Sequence, residues 1–164
     1  MEVCFIGHRK ITPSEELIIR LKNSIVNLIE QGATIFLFGS KSGFDDLAWK
    51  IVTKLKKKYP AIKRLYVRAI YKEIDKSYES YLLQFYDETY FPIKIENAGK
   101  FAYVERNFEM INRATFCVFY YDENYTPRTE QTHKFLPSTK RKSGTKIAYE
   151  YAIKKKKIII NLFS

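Results

Sequence analysis

Several residue types are scarce in this chain of 164 residues, and each scarcity narrows what it can be. Only two cysteines occur, Cys4 and Cys117, and both sit inside apolar runs. Buried thiols are the expected state of such residues, so a disulfide framework is excluded and a reducing, cytoplasmic setting is expected. Only two histidines occur, His8 and His133, far apart in sequence. With the two thiols buried, no convergent set of nitrogen and sulfur ligands remains, so neither a metal nor another cofactor is expected. No apolar run approaches the roughly 20 residues needed to cross a bilayer, and the apolar run after Met1 is too short for a signal core. A membrane role is therefore not expected. No repeat and no low-complexity linker marks a second domain, and 1–164 reads as one domain.

Acidic residues are also in short supply, 18 against 29 lysines and arginines, for a net charge of +11. Such an excess suits anionic or phosphorylated partners. Two of the basic runs, Lys56–Lys58 and Lys154–Lys157, close helical stretches, where cations complement the helix dipole without any ligand. Lys140-Arg141-Lys142 instead precedes a helix start, which the dipole does not favour, and this points to an anionic partner.

Strand-like and helix-like segments alternate. Strands are expected over 3–7, 34–38, 64–70, 89–91, 115–121 and 157–163. Helices are expected from Ser14 to Gln31 and over 43–58, 77–86, 101–113 and 143–155. Gly32 stops the first helix, whose apolar positions recur at helical spacing. This alternation, with near-continuously apolar strands, predicts an α/β fold: a Rossmann-like three-layer sandwich with a mostly parallel sheet. Residues 123–142 carry no regular pattern and read as an irregular lid-like loop. On 77–86, Tyr78, Tyr81, Phe85 and Tyr86 form an aromatic set that reads as a self-association surface, hence a homo-oligomer.

Ligands of open parallel sheets bind beyond the carboxyl ends of the strands. The residues there are Gly7, His8 and Arg9 after the first strand, and Gly39, Ser40, Gly43 and Asp45 after the second. Ser143, Gly144 and Thr145 start the last helix. Glycines permit close backbone approach, and free amides at a helix start attract anions. Asp45 can either favour its helix dipole or accept hydrogen bonds from ribose hydroxyls. Arg9 and Arg106 are the candidate phosphate forks; an ordinary helical Arg106 would instead be exposed and paired with Glu105 or Glu109. His8 is expected to donate hydrogen bonds near the cleft.

Together, Ile6-Gly7-His8-Arg9, Gly39-Ser40-Lys41-Ser42-Gly43-Phe44-Asp45, Glu105-Arg106-Asn107 with Met110, and Ser143-Gly144-Thr145 with Ala148-Tyr149 resemble the SLOG superfamily. This is the Rossmann-like group of the DNA-processing protein DprA/Smf and the Lonely Guy enzymes. The likeness is to its small stand-alone bacterial or phage-type members and runs over nearly the whole chain. The resemblance implies a site for a nucleotide-derived small molecule at the positions above, Asn107 included. Lonely Guy enzymes cleave the N-glycosidic bond of nucleoside 5′-monophosphates. Arg106 matches their arginine, whereas their catalytic glutamate is Ala148 here. Glu150 lies about 200° further around the helix from Ala148. The favoured reading is therefore binding, as sensing or sequestration. A nucleotide N-glycosidase is the alternative, with Arg106, Glu150 and Asp122 as its candidate catalytic residues. Direct DNA binding, as for a DprA relative, is the third reading, because no basic stripe interleaved with aromatics is evident.

Overall fold

The computed structural model describes residues 1–39, 42–126 and 142–163. Its elements are β1 (Glu2–Gly7), α1 (Glu15–Glu30), β2 (Ile35–Phe38), α2 (Gly43–Leu55), β3 (Lys63–Val67), α3 (Lys76–Leu82), β4 (Glu88–Tyr90), α4 (Ala102–Arg113), β5 (Phe116–Tyr120), α5 (Gly144–Lys154) and β6 (Ile158–Asn161). Two short 3-10 turns, Ile93–Ile95 and Gly99–Phe101, lead into α4.

Helix starts are fixed by side-chain oxygens that take up a free amide of the first turn. Ser14 accepts from the Leu17 amide, Ser42 from Asp45, Asp75 from Tyr78 and Ser143 from Lys146. Gly32, at φ 99°, takes the left-handed conformation that ends α1. Lys157 donates to the carbonyls of Asn112 and Ala114, each at 2.9 Å, and so closes the end of α4 with a cation.

Among the described residues the strands form one sheet in the order β4-β3-β2-β1-β5-β6, and every neighbouring pair is parallel. Alternate side chains of β1 and β2 go to opposite faces, as the strand period of two requires. Val3, Phe5, Phe36 and Phe38 pack with Leu21, Ile25 and Leu28 of α1 and with Phe44, Ala48 and Val52 of α2. Cys4, Ile6 and Leu37 pack with Met110 and Ile111 of α4 and Ala148 and Ala152 of α5. The result is the three-layer α/β sandwich expected from the alternation. From β1 the chain builds outward through β2, β3 and β4, then returns to the other side of β1 to lay down β5 and β6. The order thus reverses between β1 and β5, and the carboxyl ends of those two strands flank the crevice where such sheets bind ligands.

The structure corrects several boundaries and surface assignments. β3 stops at Val67, three residues short of the expected end, because the chain turns away through Tyr71 at φ 61°. α2 ends at Leu55, and Lys56 is not a solvated helix end: it donates to the Ile62 carbonyl at 2.6 Å and pairs with Asp87 at 3.3 Å. Lys142 already has a carboxylate partner in Glu150, at 2.7 Å. Tyr86 leaves the aromatic surface on α3, because its ring packs on Tyr66 and Phe38 at the edge of the core. Tyr81 and Phe85 remain exposed. Most of 123–142, together with His133, Lys140 and Arg141, lies outside the described residues, and so do Ser40 and Lys41.

Candidate functional site

Burying a polar group away from water is costly unless it is hydrogen-bonded. Among the described residues the buried polar or charged ones are His8, Ser42, Asp45, Arg68, Arg106 and Thr145. Their placement is not random. His8 follows β1, Ser42 and Asp45 open α2, Arg68 follows β3 and Thr145 lies in the first turn of α5. All belong to the carboxyl edge of the sheet, and Arg106 reaches the same edge from α4.

Arg106 is only 2% exposed. Its Nη1 donates to the carbonyl oxygen of Gly39, just past β2, and more distantly to that of Val67 at the end of β3, at 3.5 Å. Its Nε donates to Oδ1 of Asn107 at 3.0 Å, and its guanidinium lies 5.7 Å from the Tyr103 ring. Burial pulls its pKa down, while the nearby Asp45 carboxylate favours the charged form. Arg106 is therefore not an exposed helical arginine paired with Glu105 or Glu109. The Glu109 carboxylate instead faces Asn112 and Lys94.

Gly39 makes this arrangement possible. A Cβ there would meet Met110 Sδ at 2.6 Å and Arg106 Cδ at 2.7 Å. Its backbone is not in the left-handed region, so close approach rather than a special turn conformation demands glycine. Asp45, 3% exposed, faces inward on the same side as Arg106, whereas Asp46 faces solvent.

The loop after β1 is tied to both neighbours. The Gly43 amide donates to the Arg9 carbonyl at 2.8 Å, and the Phe44 side chain fills the space beside Gly7 where a Cβ would sit. Arg9 itself is exposed at the rim. The Asp122 amide nitrogen lies 2.8 Å from Nε2 of His8. The same Nε2 lies 3.2 Å from the Asp122 carbonyl, so the tautomer decides whether it accepts from the amide or donates to the carbonyl, and Nδ1 is buried and makes no hydrogen bond among the described residues. With either tautomer the ring is tied to the Asp122 backbone across the β1–β5 crevice. Burial lowers the His8 pKa, which agrees with a neutral ring. The Tyr125 ring stacks on it at 3.9 Å.

On the β5 side, His8 lies 6.0 Å from the Tyr121 ring, and Tyr121 stacks on Tyr149 of α5 at 4.5 Å. This chain of rings links the loop after β1 to the first turns of α5. Ser143 caps that helix and Thr145 is buried. Among the described residues nothing lies within 4 Å of where a Gly144 Cβ would be, so their packing does not require glycine there. Ala148 points into the core. Glu150 is on the outer side with Lys142, away from Thr145 and Ala148. The Asp122 carboxylate accepts the Asn124 amide at 2.8 Å and closes a local turn.

The carboxyl edge thus holds Gly7, His8, Arg9, Gly39, Gly43, Asp45, Asp122 and, reaching it from α4, Arg106 with Asn107, while Ser143, Gly144 and Thr145 start α5 on the β5 side. It does not bring in Glu150. Among the described residues no cluster of three or more histidine, cysteine, aspartate or glutamate side chains could hold a metal ion. Arg68 and Tyr125 belong to the same edge and were not singled out from sequence. The available signal for Arg68 was its place directly after a strand, as for Arg9, hidden by extending that strand to Ile70. No helix among the described residues is long and apolar enough to cross a membrane.

A search of curated proteins returns no match. Among solved structures, DNA processing protein A from Helicobacter pylori, described for its single-stranded DNA binding mode, aligns with a TM-score of 0.57 at 16% identity. The alignment covers 97% of this chain and 63% of that one, so this chain spans less than two thirds of that neighbour. At that identity the likeness speaks for the fold alone. Residues 9–155 match the YspA SLOG family, and on that match over most of its length the chain belongs to it.

Proposed function

We propose that this protein binds a nucleotide-derived small molecule at the carboxyl edge of its sheet, with the anionic part against the first turn of α5. The observation that carries this reading is the convergence of buried polar groups on the carboxyl edge of the sheet. His8, Asp45 and Arg106 are withdrawn from solvent and fix the loops. What faces outward is Arg9 and the open backbone at Gly144. A helix start and an arginine at the rim suit a phosphate, and Gly144 lets it approach the backbone.

Binding without turnover is favoured over N-glycoside hydrolysis by the state of the carboxylates. Hydrolysis through an oxocarbenium-like transition state needs a carboxylate beside the anomeric carbon. The Asp122 carboxylate is engaged by the Asn124 amide and Glu150 is paired with Lys142 on the outside. DNA binding rests on the net charge and on a neighbour similar in fold, and no feature of the edge favours it over a small molecule.

Native mass spectrometry and calorimetry with nucleoside mono- and diphosphates, alongside a single-stranded oligonucleotide, test the reading. Saturable binding of a mononucleotide-sized ligand, lost in Arg9→Ala, is expected, with the ligand recovered intact. Binding of the oligonucleotide alone, or release of free base, would refute it.

A further inference from the structure

A second cleft lies between α3 and the β3–β4 edge of the sheet, apart from the β1–β5 crevice. It has a volume of about 350 Å³ and is lined by Arg68, Ile74, Glu79, Leu83, Asp87 and Thr89, with Glu88 beside them. That volume is at the small end of ligand sites.

Arg68 is 9% exposed, and its guanidinium is only half used. Nη1 donates to the carbonyl of Tyr71 at 2.8 Å. Tyr71 holds a left-handed backbone, φ 61°. The opposite edge of the guanidinium has no partner: Nε is buried without a hydrogen bond among the described residues, and Arg68 forms no ion pair among them. Nε and Nη2 together form the side-on fork that fits a carboxylate bidentately.

The carboxylates around the cleft differ in how far they are neutralised. Asp87 is held by Arg64, at 3.1 Å, and by Lys56, at 3.3 Å, which keep its pKa below the ordinary value against the effect of burial. Glu88 is held by Lys63 at 2.6 Å. Glu79 makes no ion pair among the described residues. One unpaired cation and one unpaired anion therefore face a small cleft with an aliphatic wall of Ile74 and Leu83. A phosphate dianion would meet the unpaired Glu79 with only Arg68 left to offset it, since Asp87 and Glu88 already hold the neighbouring cations, so a nucleotide is disfavoured. A plain acid or a plain amine would satisfy only one of the two charges.

We propose that this cleft binds a free α-amino acid with an aliphatic side chain. Its carboxylate takes the Nε–Nη2 fork of Arg68, its ammonium takes Glu79, and its side chain lies on Ile74 and Leu83. The Thr89 hydroxyl, which donates to the Tyr66 carbonyl at 3.0 Å, keeps lone pairs toward the same ammonium.

The test is calorimetry and thermal melting of the full chain with L-leucine, 4-methylpentanoate, 3-methylbutylamine and inorganic phosphate. Leucine should bind, and each half-ligand should bind at least about tenfold more weakly, since each lacks one charged contact. Arg68→Lys keeps the charge but not the fork and should lose about tenfold or more. Glu79→Gln, an exposed position that leaves the fold intact, should lose about as much and carries the test if the Arg68 variant does not fold. A nucleotide bound by the wild-type chain should bind Glu79→Gln unchanged, which separates this site from the carboxyl edge. Absence of leucine binding, phosphate or a half-ligand binding as tightly as leucine, or undiminished leucine affinity in Glu79→Gln would overturn the proposal.

Discussion

Replacing Arg106 by methionine tests whether its role is to hold the Gly39 loop or to meet a ligand from solvent. Methionine keeps much of the aliphatic volume of the side chain, so the cavity left behind is small and the effect is mainly polar. The variant leaves the Gly39 and Val67 carbonyls without their cationic donor. A hydrogen bond to a charged group is worth about 1.5–3 kcal/mol, and the 3.5 Å contact to Val67 stands at the weak end. The change also removes the positive charge that the Asp45 carboxylate faces. Breaking a buried charged arrangement from one side costs about 3–5 kcal/mol, and the hydrogen-bond sum falls in the same range.

A loss of that size is a large share of the roughly 5–15 kcal/mol that holds a domain folded. For a chain of this length it lowers the melting temperature by about 6–20 °C. Urea unfolding of the ligand-free protein, followed by two independent probes, reads the loss directly. Arg106→Lys should fall between wild type and Arg106→Met, because an ammonium restores the charge but not the fork. Exposed substitutions usually stay within about 0.5 kcal/mol of wild type. If Arg106→Met did so, the guanidinium would have to point outward, and the account of the Gly39 loop would be wrong.

Gly39→Ala should destabilise the free protein by about 1–3 kcal/mol, since its Cβ would collide with Met110 and Arg106; an unchanged urea midpoint would show that the loop is looser than described. Gly144→Ala has open space and a gain in helix propensity, so stability should be unchanged or rise by up to about 1 kcal/mol while nucleotide affinity falls; equal affinity would mean that no ligand approaches that backbone. His8 carries the pH dependence. Its folded pKa lies below the ordinary 6.5, so below that pH the unfolded chain takes up the proton first, and stability falls until the folded ring titrates as well. Unfolding midpoints measured from about pH 8 down to about pH 5 should decline below 6.5 in wild type and less so in His8→Gln; equal declines would place the proton elsewhere.

The order of strands and helices was legible because apolar spacing distinguishes a period of two from 3.6 in most segments. The end of β3 was misjudged for a local reason: Ala69 and Ile70 are apolar, yet the sheet has already released the chain. The burial of Arg106 was present in the sequence as spacing, since Ala102, Arg106 and Met110 fall on one face of α4 at steps of four. An arginine between two buried apolar residues on one helix face points inward, which already weighs against the exposed alternative. The outward position of Glu150 followed from helix geometry in the same way. The tie of His8 to the Asp122 backbone was not legible, because that backbone lies 114 residues away and only the β1–β5 pairing brings it near. Nor could sequence separate Gly39, pressed by its neighbours, from Gly144, which has none among the described residues.

The polar contacts at the carboxyl edge share a direction that bears on function. Gly43 to Arg9, Asp122 to His8 and Arg106 to Gly39 each join two different connections of the sheet. Loops linked pairwise in this way do not move independently, and a ligand that meets them does not have to order them first, which preserves affinity. Each contact spends one donor and one acceptor: the Gly43 amide with the Arg9 carbonyl, the Arg106 guanidinium with the Gly39 carbonyl, and the His8 ring with the Asp122 backbone. What the edge leaves toward solvent is the exposed Arg9 and the start of α5. A guanidinium and a helix start suit an anion, and the phosphate of the proposed ligand would meet them there.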